Sequence, residues 1–191
     1  MAKNVIDLDN PQGDLVSTLL DQHDQIRAAI DAVAKTKTAA ARQKAFDALR
    51  ETLARHETAE EMVVRPLTRR FDDGDAIADA RMNEENESKV VLAELEKLDI
   101  ASVEFARTFE QFAKAVLEHA LAEEAYEFPL LRSNLDEDRL EEAEEHLLLA
   151  EKTAPTHPHP SAKTTAMNYA AGPVAALVDR ARDAISRATS D

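Results

Sequence analysis

Two copies of one short pattern contain the residues of this sequence that are best suited to chemistry. In the first copy His56 is followed four residues later by Glu60, and in the second His119 is followed by Glu123. A second glutamate and a Pro-Leu pair also recur, and each matched residue lies 63 positions after its counterpart. Five matches at one offset indicate two related helical segments.

Each copy can present a metal-binding pair. Residues four apart on an α-helix lie on one face, about 5–6 Å apart, so an imidazole nitrogen and a carboxylate oxygen can point to a common position. These ligands, without thiolate, suit iron or manganese better than structural zinc. Because a carboxylate has two oxygens, Glu60 and Glu123 could each bridge two ions. A single pair is usually a solvated surface interaction; the duplication is what favours metal binding.

Two other helical segments are expected to complete the site. His23 has apolar residues four positions before it and three, seven and ten positions after it, so it faces the core. The third segment has no histidine, but Glu85 is followed by leucines at the same seven- and ten-residue steps. An inward glutamate needs a partner such as a cation. We therefore assign Glu85 to the site, with Glu84 and Asn86 as alternatives.

The remaining candidates have weaker patterns. Tyr126 lies seven residues after His119 and so on the same helical face, where it is either a core aromatic or a donor or ligand beside the site. His146 lies in an acidic segment, and His157 and His159 lie in a proline-rich one. These three histidines are expected to be solvated.

Helix-forming residues dominate the elements that must position this site. The chain has three glycines and 4% aromatic residues, and its abundant alanine, leucine and glutamate favour helices. The apolar spacing predicts four long helices. The first runs from residue 14 to a break at 36–38, and the other three cover about 39–71, 76–98 and 103–131. Short connectors make antiparallel neighbours natural. The prediction is an all-α, up-down-up-down four-helix bundle.

The chain divides into three predicted regions. Residues 1–13 are read as a flexible lead-in, residues 14–135 as the bundle, and residues 136–191 as a C-terminal helical extension. Within the extension we expect an acidic helix, a proline-rich linker and a last short helix, at about 135–152, 154–160 and 173–187.

Composition excludes several classes of function. A formal net charge of −15 opposes binding to nucleic acid and to anionic membrane surfaces. The absence of cysteine excludes disulfides, iron–sulfur clusters and cysteine nucleophiles. The sequence shows neither a secretion signal nor the roughly 18-residue apolar run of a membrane span. A cytoplasmic protein is expected.

From about Asp14 to Leu135 the sequence resembles the hemerythrin-like, or HHE cation-binding, family, in the group common in actinobacteria. The paired His-x-x-x-Glu-Glu…Pro-Leu motif carries this resemblance. It implies a bundle that holds two non-haem iron ions with oxo or hydroxo and carboxylate bridges. By motif match, the terminal histidine positions are those of His23, His56 and His119, and the bridging carboxylates are Glu60 and Glu123. The family usually has a histidine in the third helix, where this chain offers Glu85; an oxygen-rich site should favour the ferric state over reversible oxygen carriage.

The resemblance implies a protein that binds or reacts with dioxygen, peroxide or nitric oxide in oxidative or nitrosative stress defence, with catalase- or peroxidase-like turnover as a candidate reaction. The alternatives are an iron or oxygen sensor or metal-binding module without turnover, and a structural bundle with a non-redox ion. The expected partner is a small molecule, and the chain could be a monomer or a homodimer. The Glu-x-x-His pattern of ferritin-like sites and the His-Glu-x-x-His pattern of zinc proteases do not match.

Overall fold

Four long helical segments form an antiparallel bundle, and a fifth helix packs against it. The computed structural model describes residues 13–157, and within this range it contains helices, turns and bends but no strand. The elements are α1 (Leu15–Lys35), α2 (Ala39–Ala59), a π turn (Glu60–Val64), α3 (Arg65–Thr68), α4 (Gly74–Leu95), α5 (Val103–Ala122), a second π turn (Glu123–Glu127), α6 (Phe128–Asn134) and α7 (Glu137–Thr153). The predicted all-α bundle is confirmed.

Side-chain caps define where four of these helices begin. The residue before the helix accepts a hydrogen bond from the backbone N–H three residues later, which satisfies a donor that has no partner inside the helix. The capping residues are Asp14, Thr38, Ser102 and Asp136, which begin α1, α2, α5 and α7.

The two segments that carry the repeated motif share an irregularity that the sequence analysis did not predict. Each contains a π turn that begins at the motif glutamate, at Glu60 in one segment and Glu123 in the other. Each π turn is soon followed by a proline, Pro66 or Pro129, which cannot donate a backbone hydrogen bond to the preceding turn. The predicted continuous helices 39–71 and 103–131 are therefore interrupted at equivalent positions, and the internal repeat extends to the backbone.

Two apolar clusters fill the interior at opposite ends of the bundle. The first joins α1, α2, α4 and α5 through residues such as Ile30, Phe46, Leu95, Phe105 and Phe109. The second joins α1, the end of the α2 segment, α6 and α7 through residues such as Leu15, Leu19, Val64, Leu131 and Leu147. Met62 and Met82 are only partly buried.

The acidic helix predicted from about Leu135 is observed as α7, and it packs against α1 and α2. His146 on this helix is exposed, as expected. The expectation that His157 is solvated is wrong: it is buried, and its Nδ1 lies 2.6 Å from Glu96 Oε1. The predictions for residues 1–12, the predicted last helix and His159 lie outside the described residues. Within 13–157, no helix is both long and apolar enough to cross a membrane.

Candidate metal centre

A buried polar layer crosses the bundle between the two apolar clusters. The structure brings all six predicted ligand residues together there, and each is at most 8% exposed: His23 from α1, His56 from α2, Glu60 and Glu123 from the π turns, Glu85 from α4 and His119 from α5. The four long segments of the bundle all contribute to this layer.

The six residues form two overlapping groups of potential ligands. One group contains His23, His56, Glu60 and Glu123, and the other contains Glu60, Glu85, His119 and Glu123. Within each group, one ligand atom per residue lies within 4.8 Å of all the others. Because the groups share Glu60 and Glu123, the arrangement suits two neighbouring cations with these carboxylates between them.

The three histidines turn their Nε2 atoms toward the shared carboxylates. The Nε2 atoms of His23 and His119 lie 3.2 Å from oxygens of Glu123, and that of His56 lies 3.6 Å from Glu60 Oε2. A buried Nε2 without a proton is the usual ligand atom of a metal-binding histidine.

On the other side of each histidine ring, Nδ1 lies within hydrogen-bond distance of a side-chain oxygen. His23 Nδ1 is 2.8 Å from Glu124 Oε1, His56 Nδ1 is 2.8 Å from Gln22 Oε1, and His119 Nδ1 is 2.9 Å from Glu84 Oε2. Each of these oxygens can accept a hydrogen bond from Nδ1–H, and in a neutral ring of this tautomer the Nε2 lone pair is available for a cation. Such a partner behind the ring is typical of metal-ligating histidines.

Five buried atoms in this layer make no hydrogen bond within the described part of the chain: His23 Nε2, His119 Nε2, Glu60 Oε1, Glu85 Oε2 and Glu123 Oε2. The 3.2 Å contacts of His23 and His119 with Glu123 are close but do not have hydrogen-bond geometry. A buried polar atom without a partner costs roughly 1–3 kcal/mol, so five in one place require an explanation. All five are nitrogen or carboxylate oxygen atoms that a divalent cation accepts as ligands. The residues present therefore fit a metal centre.

Arg65, which the sequence analysis missed, is a buried cation beside this layer. Its guanidinium contacts four carboxylates, those of Glu60, Glu85, Glu123 and Glu127. It donates hydrogen bonds to Oε2 of Glu60 and to Oε1 of Glu85 and Glu123. Each of these three carboxylates thus has one oxygen on the guanidinium and one oxygen without a partner.

The π turn explains why Arg65 was missed. At about 100° per residue of a regular α-helix, nine residues would place Arg65 roughly opposite His56. The π turn takes more residues to complete one rotation, so the residues after it change face. The proline next to Arg65 was the visible sign of an irregular helix, but it did not indicate this change of face.

The same change of face makes the prediction for Tyr126 wrong. In a regular α-helix this tyrosine would lie near the face of His119, but its side chain is 65% exposed. The residue that points inward instead is Glu127, which is fully buried and bonds to Arg65 and Thr68.

Glu85, at 1% exposure, lies in the layer, while its two alternatives do not reach the ligand groups. Glu84 lies behind the layer and accepts the hydrogen bond from His119 Nδ1. Asn86 donates to the backbone carbonyl of Met82 at 2.7 Å. The geometry is compatible with Glu85 as the contribution of the third long helix.

Burial sets unequal pKa values for the acidic groups. Burial and the nearby Glu123 raise the pKa of Glu60 well above its usual value, and burial raises the pKa of Glu85 to about 7. Burial opposes ionisation of Glu123 too, but His119 and Arg65 outweigh it and hold its pKa well below the usual value. Without cations, part of the layer is therefore neutralised by protons.

Burial and the neighbouring His23 lower the pKa of His56 well below its usual value, so this ring is neutral at pH 7. Burial also disfavours the charged form of His119, but Glu123 and Glu84 outweigh it and raise the pKa of His119. The two histidines of the repeated motif therefore differ in charge although they are equivalent in sequence.

The fold and this layer define a class: helical-bundle proteins with a histidine- and carboxylate-rich cation site between the helices. The sequence model of the hemerythrin HHE cation binding domain family matches residues 14–131. The chain therefore belongs to this family. It is also similar to an uncharacterised hemerythrin-like protein of Schizosaccharomyces pombe, with 27% identity over 138 aligned residues. The aligned region covers 71% of this chain and 68% of the yeast protein. No solved structure matches the chain.

Proposed function

We propose that the polar layer holds two iron ions and that the protein binds or reacts with dioxygen, peroxide or nitric oxide. The observation that carries this proposal is the pair of ligand groups that share Glu60 and Glu123, with buried ligand atoms lacking partners in both groups. In this proposal His23 and His56 would hold one ion, Glu85 and His119 would hold the other, and Glu60 and Glu123 would supply oxygen ligands to both.

The charge of the layer supports two divalent ions. When ionised, the four carboxylates around Arg65 carry four negative charges, against one positive charge on the guanidinium. Isolated buried charges are costly, so this excess calls for cations or protons. Two divalent ions with one hydroxide, together with Arg65, would balance the four carboxylates.

A bound iron pair would supply two-electron redox chemistry toward small oxidants. The residues of this chain would orient the ions and restrict access to them. His119 is the most exposed of the six ligand candidates, at 8%, and beside it the partly exposed Glu84 pairs with the buried Arg81. Because all six side chains are buried, the site is accessible only to small molecules, which supports peroxide, dioxygen or nitric oxide as partners.

Metal analysis of purified and iron-reconstituted protein tests the proposal. We expect two irons per chain in the wild type and loss of iron in the His119→Ala variant. The matched control is His146→Ala, because His146 is an exposed histidine on α7 and should leave both irons in place. A wild type that cannot be loaded with iron, or two irons in the His119→Ala variant, would contradict the proposal.

Peroxide addition to the iron-loaded protein then separates two functions. Sustained evolution of oxygen indicates peroxide disproportionation and a role in defence against oxidative stress. A change in the optical spectrum without turnover indicates the alternative function, an iron or oxygen sensor.

A further inference from the structure

Helix α7 lies beyond the residues that match the family, yet it is connected to the candidate metal centre. Glu151 on α7 is 1% exposed, and its Oε1 accepts a hydrogen bond of 2.8 Å from Gln22 Nε2. Gln22 is also 1% exposed, and its Oε1 lies 2.8 Å from His56 Nδ1. A buried chain of two hydrogen bonds therefore links α7 to a metal-ligand candidate.

The two hydrogen bonds from Glu151 through Gln22 determine which nitrogen of His56 carries the proton. An amide side chain has one donating and one accepting end. In the structure the NH₂ end of Gln22 donates to Glu151 Oε1, which turns the amide oxygen toward His56. Because that oxygen can only accept, His56 Nδ1 must carry the proton, and its Nε2 presents a lone pair toward Glu60.

His56 differs from the other two histidines in needing such an anchor. The Nδ1 atoms of His23 and His119 meet glutamates that are paired with arginines near the surface. The partner of His56 is a neutral amide, which without an anchor could turn either end toward the ring. The orientation of this one ring thus depends on a residue from outside the matched domain.

We propose that Glu151 is a positioning residue of the centre, which acts through Gln22 to fix the tautomer and orientation of His56. The effect on metal binding rests on the function proposed above, whereas the effect on the tautomer does not require a metal. Helix α7 is in this view a fifth structural element of the site as well as a cover for the second apolar cluster.

The test compares Glu151→Leu with Glu144→Leu in the full-length chain. Glu144 is also a buried carboxylate on α7 and also contacts α1, where it accepts a hydrogen bond from Thr18. Nitrogen NMR of the metal-free protein reports the tautomer of His56, and anaerobic titration with Fe(II) reports the affinity of each ion. We expect a mixed tautomer and a 10- to 100-fold loss of affinity for one ion in Glu151→Leu only.

Gln22→Leu removes the same hydrogen-bonded connection between Glu151 and His56. This variant provides the test if Glu151→Leu does not fold. The two single variants and the double variant should show the same loss of affinity, because each removes one common connection. Wild-type ring signals for His56 in both single variants, or equal losses in Glu151→Leu and Glu144→Leu, would overturn the proposal. A changed tautomer in a protein that never binds iron would leave the positioning role intact and reject the proposed function.

Discussion

Arg65 is a buried guanidinium that contacts four glutamates from both halves of the repeat and from α4. Without cations it is the positive group nearest to the shared carboxylates within the described chain. These carboxylates raise the pKa of Arg65 and outweigh the opposing effect of its burial, so it stays charged. Removal of one partner from a buried charge cluster is strongly destabilising because the others remain uncompensated.

We therefore expect Arg65→Gln to lower the stability of the metal-free protein by about 3–5 kcal/mol. Loading with divalent iron should reduce this loss, because the ions would supply positive charge to the same carboxylates. Thermal denaturation with and without iron measures both effects. The control is Arg69→Gln, since Arg69 pairs with exposed aspartates and such pairs contribute at most about 1 kcal/mol. Similar melting temperatures for the two variants would contradict this view of Arg65.

Glu57 gives the metal-free protein a dependence on pH. It is buried next to His56, and burial raises its pKa to about 8 despite the opposing charge of Lys89. A carboxyl group whose pKa is higher in the folded state than in the unfolded state stabilises the fold most at low pH. Its contribution is lost as the pH rises from about 4.5, the unfolded value, to about 8.

Glu57→Gln should remove this dependence, because the amide has a similar shape and does not ionise. The variant should equal the wild type in stability near pH 5 and exceed it near pH 8.5. Chemical denaturation of the metal-free proteins across this range gives the slope for each. Parallel slopes in the two proteins would show that Glu57 ionises in the folded state as it does in the unfolded one.

At the scale of elements, the turn between α3 and α4 is tightly packed. A Cβ atom on Gly74 would lie 1.9 Å from the backbone oxygen of Thr68, which is too close for any side chain. Thr68 also donates a hydrogen bond of 2.5 Å to Glu127, one of the carboxylates on Arg65. A shift of this turn would therefore reach the polar layer.

Gly74→Ala is expected to cost about 1–3 kcal/mol, the usual effect of a forced backbone shift in a packed region. Asp72→Ala, at an exposed position of the same turn, should be close to neutral. Urea denaturation of both variants gives the comparison. Equal stability of Gly74→Ala and the wild type would show that the turn relaxes at little cost.

The sequence alone predicts the elements as far as helices are regular. The 3.6-residue period correctly placed His23 and Glu85 in the interior, because their helices are regular over that range. It failed for Arg65 and Tyr126, since each is close to or inside a π turn that changes the helical face. The contact of Glu151 with Gln22 could not be predicted, because periodicity does not show where a fifth helix packs.

At the scale of the whole molecule, the main feature is a polar layer between two apolar clusters. The clusters stabilise the ends of the bundle, while the layer between them contains charged groups and partnerless atoms. In the metal-free protein this middle section should be the least stable part of the long helices. Cations bound to side chains from four segments would connect those segments at that level.

Amide hydrogen exchange with and without Fe(II) tests this prediction. Iron at 100 times its dissociation constant stabilises the folded state by about 2.7 kcal/mol, which corresponds to exchange slower by about 100-fold. We expect the metal-free layer to open locally, so slowing should be largest around His56, Glu85 and His119. Amides near Phe105 and Phe109, in an apolar part of α5, serve as the internal control. Equal slowing at both levels would mean that the helices open only as a whole, and that the polar layer is no weaker than the apolar clusters around it.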